Sequence, residues 1–208
     1  SHTQIDQIFL DYFGIHTYHV VPDPNNTYID HIDCWGKYLA PDKILIRAVP
    51  PSHQQYNAIE ATAAYFAAQT SSYGTPLQVI RVNTPNNQPY SNSLILNDQV
   101  FVPIMNSSYD AQAIATYQEA MPGYEVLGFT GSWQSTDALH CRTIGITNLK
   151  KVHIQHIPLL GEQPLQPEYV LQATIKAFSG EPLQSDSVLI YYRMNGQNWQ
   201  TASITNIS

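Results

Sequence analysis

The chain has 208 residues, enough for one large domain or for one domain plus a small second one. Hydrophobic residues make up 43% and charged residues only 12%, a globular rather than a disordered composition, and no apolar run approaches the ~20 residues that a membrane-spanning helix needs. Nine Lys and Arg against sixteen Asp and Glu give a net charge of −7, which argues against nucleic acid as a partner and mildly favours cationic substrates by steering.

The first residues, "SHTQIDQIF", have no basic region followed by an apolar one, so no signal peptide is expected at this end. Residues 4–13 carry apolar side chains at helical spacing. "HTYHVV", residues 16–21, predicts a short strand, and the turn-rich "PDPNNTYID" follows it. "HIDCWGKYLAPDKILIRAVP", residues 31–50, predicts a strand, a Pro-Asp turn and a second strand. The same order then returns: an Ala-rich helix at 56–69, a strand at 77–82, a loop at 83–91, and a hairpin at 92–105 turning at Asn97-Asp98. A third copy opens with a helix at 109–121, a strand at 125–130 and the loop "GSWQSTDAL", with its hairpin strand expected at 140–148. The loops of the first two copies share a string, "DPNNTY" and "TPNNQPY".

The repeat aligns polar residues that lie far apart in the chain. Val20 to His31 is eleven positions, Val82 to Asn92 ten and Thr130 to Cys141 eleven, so His31, Asn92 and Cys141 are expected to sit just after the loop, at the start of the hairpin strand. Units packed around a common axis would bring these positions together. Asp33, two residues after His31, is expected on the same strand face, because side chains alternate with period two. On the same argument His140 points away from Cys141 and is a poor base for it, and Cys34 belongs to the core. The two cysteines could pair but make no disulfide framework. A thiol, an imidazole, a carboxylate and an amide in one pocket suit nucleophilic chemistry in a Cys-His-Asn arrangement. His31, Asp33 and Cys141 are also legitimate zinc ligands, but there is no C-x₂-C pair, H-E-x-x-H motif or dense acidic loop, so metal is the lesser reading.

The last part of the chain has a different character. The Pro- and Gln-rich "HIPLLGEQPLQPE" leads into "YVLQATIKAF", "SVLIYYRM" and "WQTASI" with no helix between them, and Asn195-Gly196 is a hairpin signal. These strands suggest the opening of a β-sandwich, placing a boundary between residues 1–160 and 161–208.

Three stretches in this order, "HIDCWGKYLAPDKILIRAVP", "YSNSLILNDQVFVP" and "TDALHCRT", closely resemble the bacterial, Porphyromonas-type peptidylarginine deiminases of the guanidino-group-modifying, or pentein, superfamily. The likeness runs through the "LLGEQ" junction. Agmatine deiminases share the H-x-D and H-C elements but carry a glycine-rich run where this chain has "STDAL". The resemblance implies a pentein-type α/β propeller, of which about three of five blades are visible here, followed by the start of an immunoglobulin-like β-sandwich. It implies conversion of peptidyl-arginine, preferentially C-terminal, to citrulline and ammonia without calcium, another metal or a cofactor. It also implies an exported, secreted or cell-surface, virulence-associated enzyme acting on peptides or proteins, with an upstream fragment of the same polypeptide as a further partner. Position by position, it assigns Cys141 as nucleophile, His31 as acid/base, Asp33 as guanidinium-binding carboxylate, Asn92 beside the thiol, and Tyr28 and Thr136 in the substrate pocket. On this reading the 208 residues are an internal segment, expected to be inactive alone. The rival expectations are agmatine deiminase, a Cys-His hydrolase cleaving peptides, and a non-catalytic binding module.

Overall fold

The computed structural model describes residues 1–145, 149–184, 187–194 and 196–203. Its centre is two three-stranded sheets of identical plan. In the first, β1 (Gly36–Ala40) pairs antiparallel with β2 (Lys43–Ala48), and β2 pairs parallel with β3 (Gln78–Asn83) after the chain crosses through helix α2 (Tyr56–Ala67). In the second, β4 (Leu94–Leu96), β5 (Gln99–Ile104) and β6 (Glu125–Thr130) repeat that order, with helix α3 (Asp110–Ala120) as the crossover. Both hairpins turn where the sequence indicated: Ala40 pairs with Lys43 across Pro41-Asp42, and Leu96 pairs with Gln99 across Asn97-Asp98, Asn97 taking a left-handed φ of 55°. Asparagine tolerates that conformation better than most side chains.

The repeat therefore runs hairpin, helix, strand, and this corrects the expected strand at 16–21. In both sheets the strand after the helix pairs with the second strand of the preceding hairpin. No hairpin precedes residues 16–21 among the described residues, and they form no strand. Helix α1 (His2–Phe13), closed by Gly14 at φ 66°, has no buried residue.

Strand β2 is buried on both faces. Ile44 and Ile46 face a cluster with Trp35, Ile59, Phe66 and Leu77, whereas Leu45 belongs to a second cluster with Val82, Tyr90, Val100, Val102, Ala113 and Tyr117. The second cluster joins the two sheets through α3. Arg47 is the next residue on the Leu45 face and is just as buried, at 2% exposure.

The tail is thinner. Strand β7 (Val152–His156) pairs antiparallel with β8 (Ala173–Ala177), and β9 (Leu189–Tyr192) with β10 (Gln200–Ser203), as two separate two-stranded ribbons. The β7–β8 ladder straddles the boundary expected at 160/161. None of the described residues from 149 onward is buried, and no ladder joins the two ribbons among the described residues. The expected Asn195-Gly196 turn lies partly outside the described residues; Gly196 is left-handed at φ 72°. No helix among the described residues is long and apolar enough to cross a membrane.

Candidate active site

The residues at the mouth of the two sheets are not on strands. His31 caps a single 3₁₀ turn, Ile32–Cys34, and β1 starts only at Gly36. His140, Cys141 and Arg142 form a second 3₁₀ turn rather than a hairpin strand, and the remainder of the strand expected at 140–148 is either not a strand or outside the described residues. The alternation argument for Asp33 and His140 therefore fails, because a 3₁₀ turn advances three residues per turn and spreads successive side chains around its axis. One consequence is favourable: His31, Asp33 and Cys141 each bring a donor atom within 4.8 Å of the other two. The other is a correction. His140 does not point away; its Nδ1 lies 2.7 Å from Asp33 Oδ2, and it lines the same cleft as Cys141.

Asn92 organises the second turn. Its Oδ1 accepts the backbone N–H of His140 at 2.9 Å and of Cys141 at 3.2 Å, and its Nδ2 donates to Cys141 Sγ at 3.0 Å. The amide is fully buried, and so are its neighbours Tyr90, Ser91 and Ser93. Tyr117 anchors this stretch from α3, its hydroxyl bridging Tyr90 O and Ser93 Oγ at 2.8 Å each, and Tyr90 reaches Asp110 at 2.7 Å. Ser91 Oγ donates to Asp33 O at 2.9 Å and ties the two turns together.

Asp33 is the hub of the cluster. Its Oδ2 also lies 3.4 Å from Cys141 Sγ, and its Oδ1 lies 3.9 Å from Cys34 Sγ. Cys34 is buried, as expected, and unbridged like Cys141. Burial, then the negative charge of Asp33, pushes the Cys34 thiol up to about 12. Cys34 is therefore a protonated, inert thiol near neutral pH, leaving the partly exposed Cys141 as the thiol available to the cleft. The cleft measures about 760 Å³ and is open to solvent; Lys37 and Tyr38 form part of its floor. Burial lowers the Lys37 ammonium, and the charges of Asp33 and Cys141 oppose that shift. Tyr28, 86% exposed, and the half-buried Thr136 do not line this cleft.

A buried arginine braces the site from behind. Arg47 donates through Nε to Thr84 Oγ1 at 2.9 Å, through Nη1 to Asn25 Oδ1 at 3.0 Å and through Nη2 to Asn87 Oδ1 at 2.6 Å. Asn25 and Asn87 belong to the two Pro-Asn-Asn loops, whose second asparagines are both left-handed, Asn26 at φ 50° and Asn87 at φ 59°. Asn25 Nδ2 in turn donates to Cys34 O at 3.1 Å. One guanidinium thus joins the loop before the His31 turn to the loop before Asn92. Sequence reasoning passed over Arg47 and Lys37, and it turned His140 away from the site. The signal for Arg47 was present, a cation inside the apolar run "ILIRAV", but its partners come from loops that only the fold brings together.

Residues 1–146 match the family model of the Porphyromonas-type peptidyl-arginine deiminases. The chain belongs to that family. Among curated proteins, a Vibrio parahaemolyticus relative named "Putative agmatine deiminase" is 25% identical over 158 residues, covering 61% of this chain and 43% of the relative. Among solved structures, the "Putative Arginine Deiminase from Porphyromonas gingivalis" aligns with a TM-score of 0.56 at 23% identity, covering 68% of this chain and 46% of that one. The agmatine deiminase of Enterococcus faecalis aligns with a TM-score of 0.55 at 19% identity, covering 62% and 44%. At these identities the structural likeness is one of fold, the mixed α/β fold of the pentein deiminases. The deiminase segment described here spans less than half the length of these relatives.

Proposed function

We propose that this chain carries the nucleophile-bearing part of a site that hydrolyses the guanidinium of peptidyl-arginine, with a C-terminal arginine preferred, to citrulline and ammonia. The observation that carries the reading is the convergence of one imidazole, one carboxylate and one accessible thiol within 4.8 Å at the mouth of a cleft. A guanidinium carbon is a poor electrophile, so a thiolate is the fitting nucleophile. Asp33 accepts N–H bonds from the planar guanidinium and holds its carbon against Cys141, exchanging its contact with His140 for the substrate. The approaching cation and the Asn92 amide both favour the sulfur anion. Attack forms a C–S bond and a tetrahedral adduct. His31, as imidazolium, gives its proton to one nitrogen, the C–N bond breaks and ammonia leaves. A thiouronium remains on Cys141. Neutral His31 then takes a proton from water as its oxygen attacks the same carbon; the C–S bond breaks and the new hydroxyl releases its proton to solvent, giving citrulline and restoring the thiolate. Every step uses residues of the chain, so the reading includes calcium independence. Activity outside the cell is part of the same proposal.

The similarity to agmatine deiminases favours a second reading, with a small guanidino amine as substrate. The deciding experiment measures ammonia and ureido product from the longest natural form of the protein, offered peptides with C-terminal arginine, peptides with internal arginine, and agmatine. Citrulline from C-terminal arginine, lost in Cys141→Ala, is the expected result. Turnover of agmatine alone, or citrulline formation that survives Cys141→Ala, rejects the proposal.

A further inference from the structure

We infer that His31, Asp33 and Cys141 also form a binding site for a thiophilic divalent cation, with Zn²⁺ the best fit, and that this ion and the guanidinium substrate exclude one another. The site itself rests on geometry; only its regulatory consequence rests on the deiminase reading. The donor set is one imidazole, one carboxylate and one thiol, the mixture zinc accepts and the hard cations Mg²⁺ and Ca²⁺ do not.

The spacing fits. With zinc bonds of about 2.0 Å to nitrogen and oxygen and about 2.3 Å to sulfur, a tetrahedral site has donor–donor edges of about 3.3–3.5 Å. The Asp33–Cys141 edge is already 3.4 Å, and no edge of the triangle exceeds 4.8 Å. The side chain that must close the remaining gap is His31, which is exposed and caps a single turn. Charge matches too: a thiolate, a carboxylate and a neutral imidazole bring two negative charges to a doubly positive ion.

The ligands have supporting partners of the kind that orient metal-binding groups. Asn92 Nδ2 holds the Cys141 sulfur at 3.0 Å and His140 Nδ1 holds Asp33 at 2.7 Å. Three protein ligands leave a fourth position, and all three line the solvent-open cleft. Binding forms a metal–sulfur bond, and any proton on the Cys141 sulfur leaves to solvent. The same electron pair on sulfur cannot attack a guanidinium, and the same Asp33 oxygens cannot hold one.

The test uses the reduced 208-residue chain and needs no turnover. Cys141 is alkylated with iodoacetamide and quantified by peptide mass, with buried Cys34 as an internal report of folding. At Zn²⁺ tenfold above its dissociation constant the unliganded fraction falls to about one in eleven, so alkylation is expected to slow about tenfold. His31→Ala is expected to weaken protection by about tenfold or more while Cys34 stays unmodified. Co²⁺ in place of Zn²⁺ is expected to give a thiolate-to-metal absorption band that Cys141→Ala abolishes. Absence of protection, equal protection by Mg²⁺, or full protection in His31→Ala each overturns the site and leaves the deiminase reading standing. Zn²⁺ that binds the chain with all these signatures but leaves citrulline formation by the longest natural form unchanged overturns the mutual exclusion, and with it the placement of turnover at this cluster.

Discussion

Replacing Arg47 by lysine keeps a positive charge but removes the planar fork, and the hydrogen bonds tell what that should cost. The guanidinium reaches three side chains, Thr84, Asn25 and Asn87, at 2.6–3.0 Å through three different nitrogens. An ammonium is a point on a flexible stem and cannot bridge loops on two sides. Two of the three charge-assisted bonds are lost, at about 1.5–3 kcal/mol each, or roughly 3–6 kcal/mol. Asn25 and Thr84 are buried and cannot turn to water, whereas Asn87 is exposed and can. The lower half of the range is favoured because burial already pushes the Arg47 guanidinium down to about 10. A lysine there starts from a lower intrinsic value and gives up its charge more readily than arginine, which relieves part of the penalty. For a chain of this size a loss of about 3 kcal/mol lowers the melting temperature by roughly 6–12 °C. Differential scanning calorimetry of the two chains measures it. The brace also makes a local prediction: Asn25 loosens its hold on Cys34 O, so hydrogen exchange should rise at residues 31–35 and 84–92 more than in the cluster around Ile59 and Phe66. A variant as stable as the parent, with unchanged exchange in both loops, would refute the brace.

The Cys34 thiol, raised by burial to about 12 from an ordinary 9.0, stabilises the fold below pH 9, and that stability is lost as pH rises toward 12. The loss amounts to about 4 kcal/mol at most, so denaturant unfolding of the parent should weaken over pH 9–12 more steeply than that of Cys34→Ala. Asn92→Asp keeps the shape and the acceptor for the two turn amides but puts a carboxylate oxygen where Nδ2 donates to Cys141. Like-charge repulsion should slow alkylation of Cys141 at neutral pH, measured against the parent. Tyr117→Phe leaves Tyr90 O and Ser93 Oγ without a buried donor, at a cost of about 1–3 kcal/mol read by urea unfolding.

Much of this protein is local and was therefore legible in its residues. Helices α1, α2 and α3 and both hairpin turns follow from apolar spacing and from Pro-Asp and Asn-Asp at the turns, interactions that span a few residues. The repeat, read from spacing alone, aligned His31, Asn92 and Cys141, and a packed fold brings His31 and Cys141 to one cleft while Asn92, fully buried, donates to the Cys141 sulfur. The phase of the repeat was not legible, because parallel pairing of β3 with β2 and of β6 with β5 joins strands separated by a whole helix, and periodicity carries no record of partners. For the same reason residues 16–21 have strand-like composition and no strand. The orientation of the site residues was decided by tertiary structure too. The two 3₁₀ turns are held by Asn92, Ser91 and the Arg47 brace, contacts made across tens of residues, and these override the alternation that a strand would impose. Sequence determined which chemical groups are available and at what intervals. Only the fold decided which way each one points, since direction depends on long-range hydrogen bonds whose partners are neighbours in space and strangers in the chain.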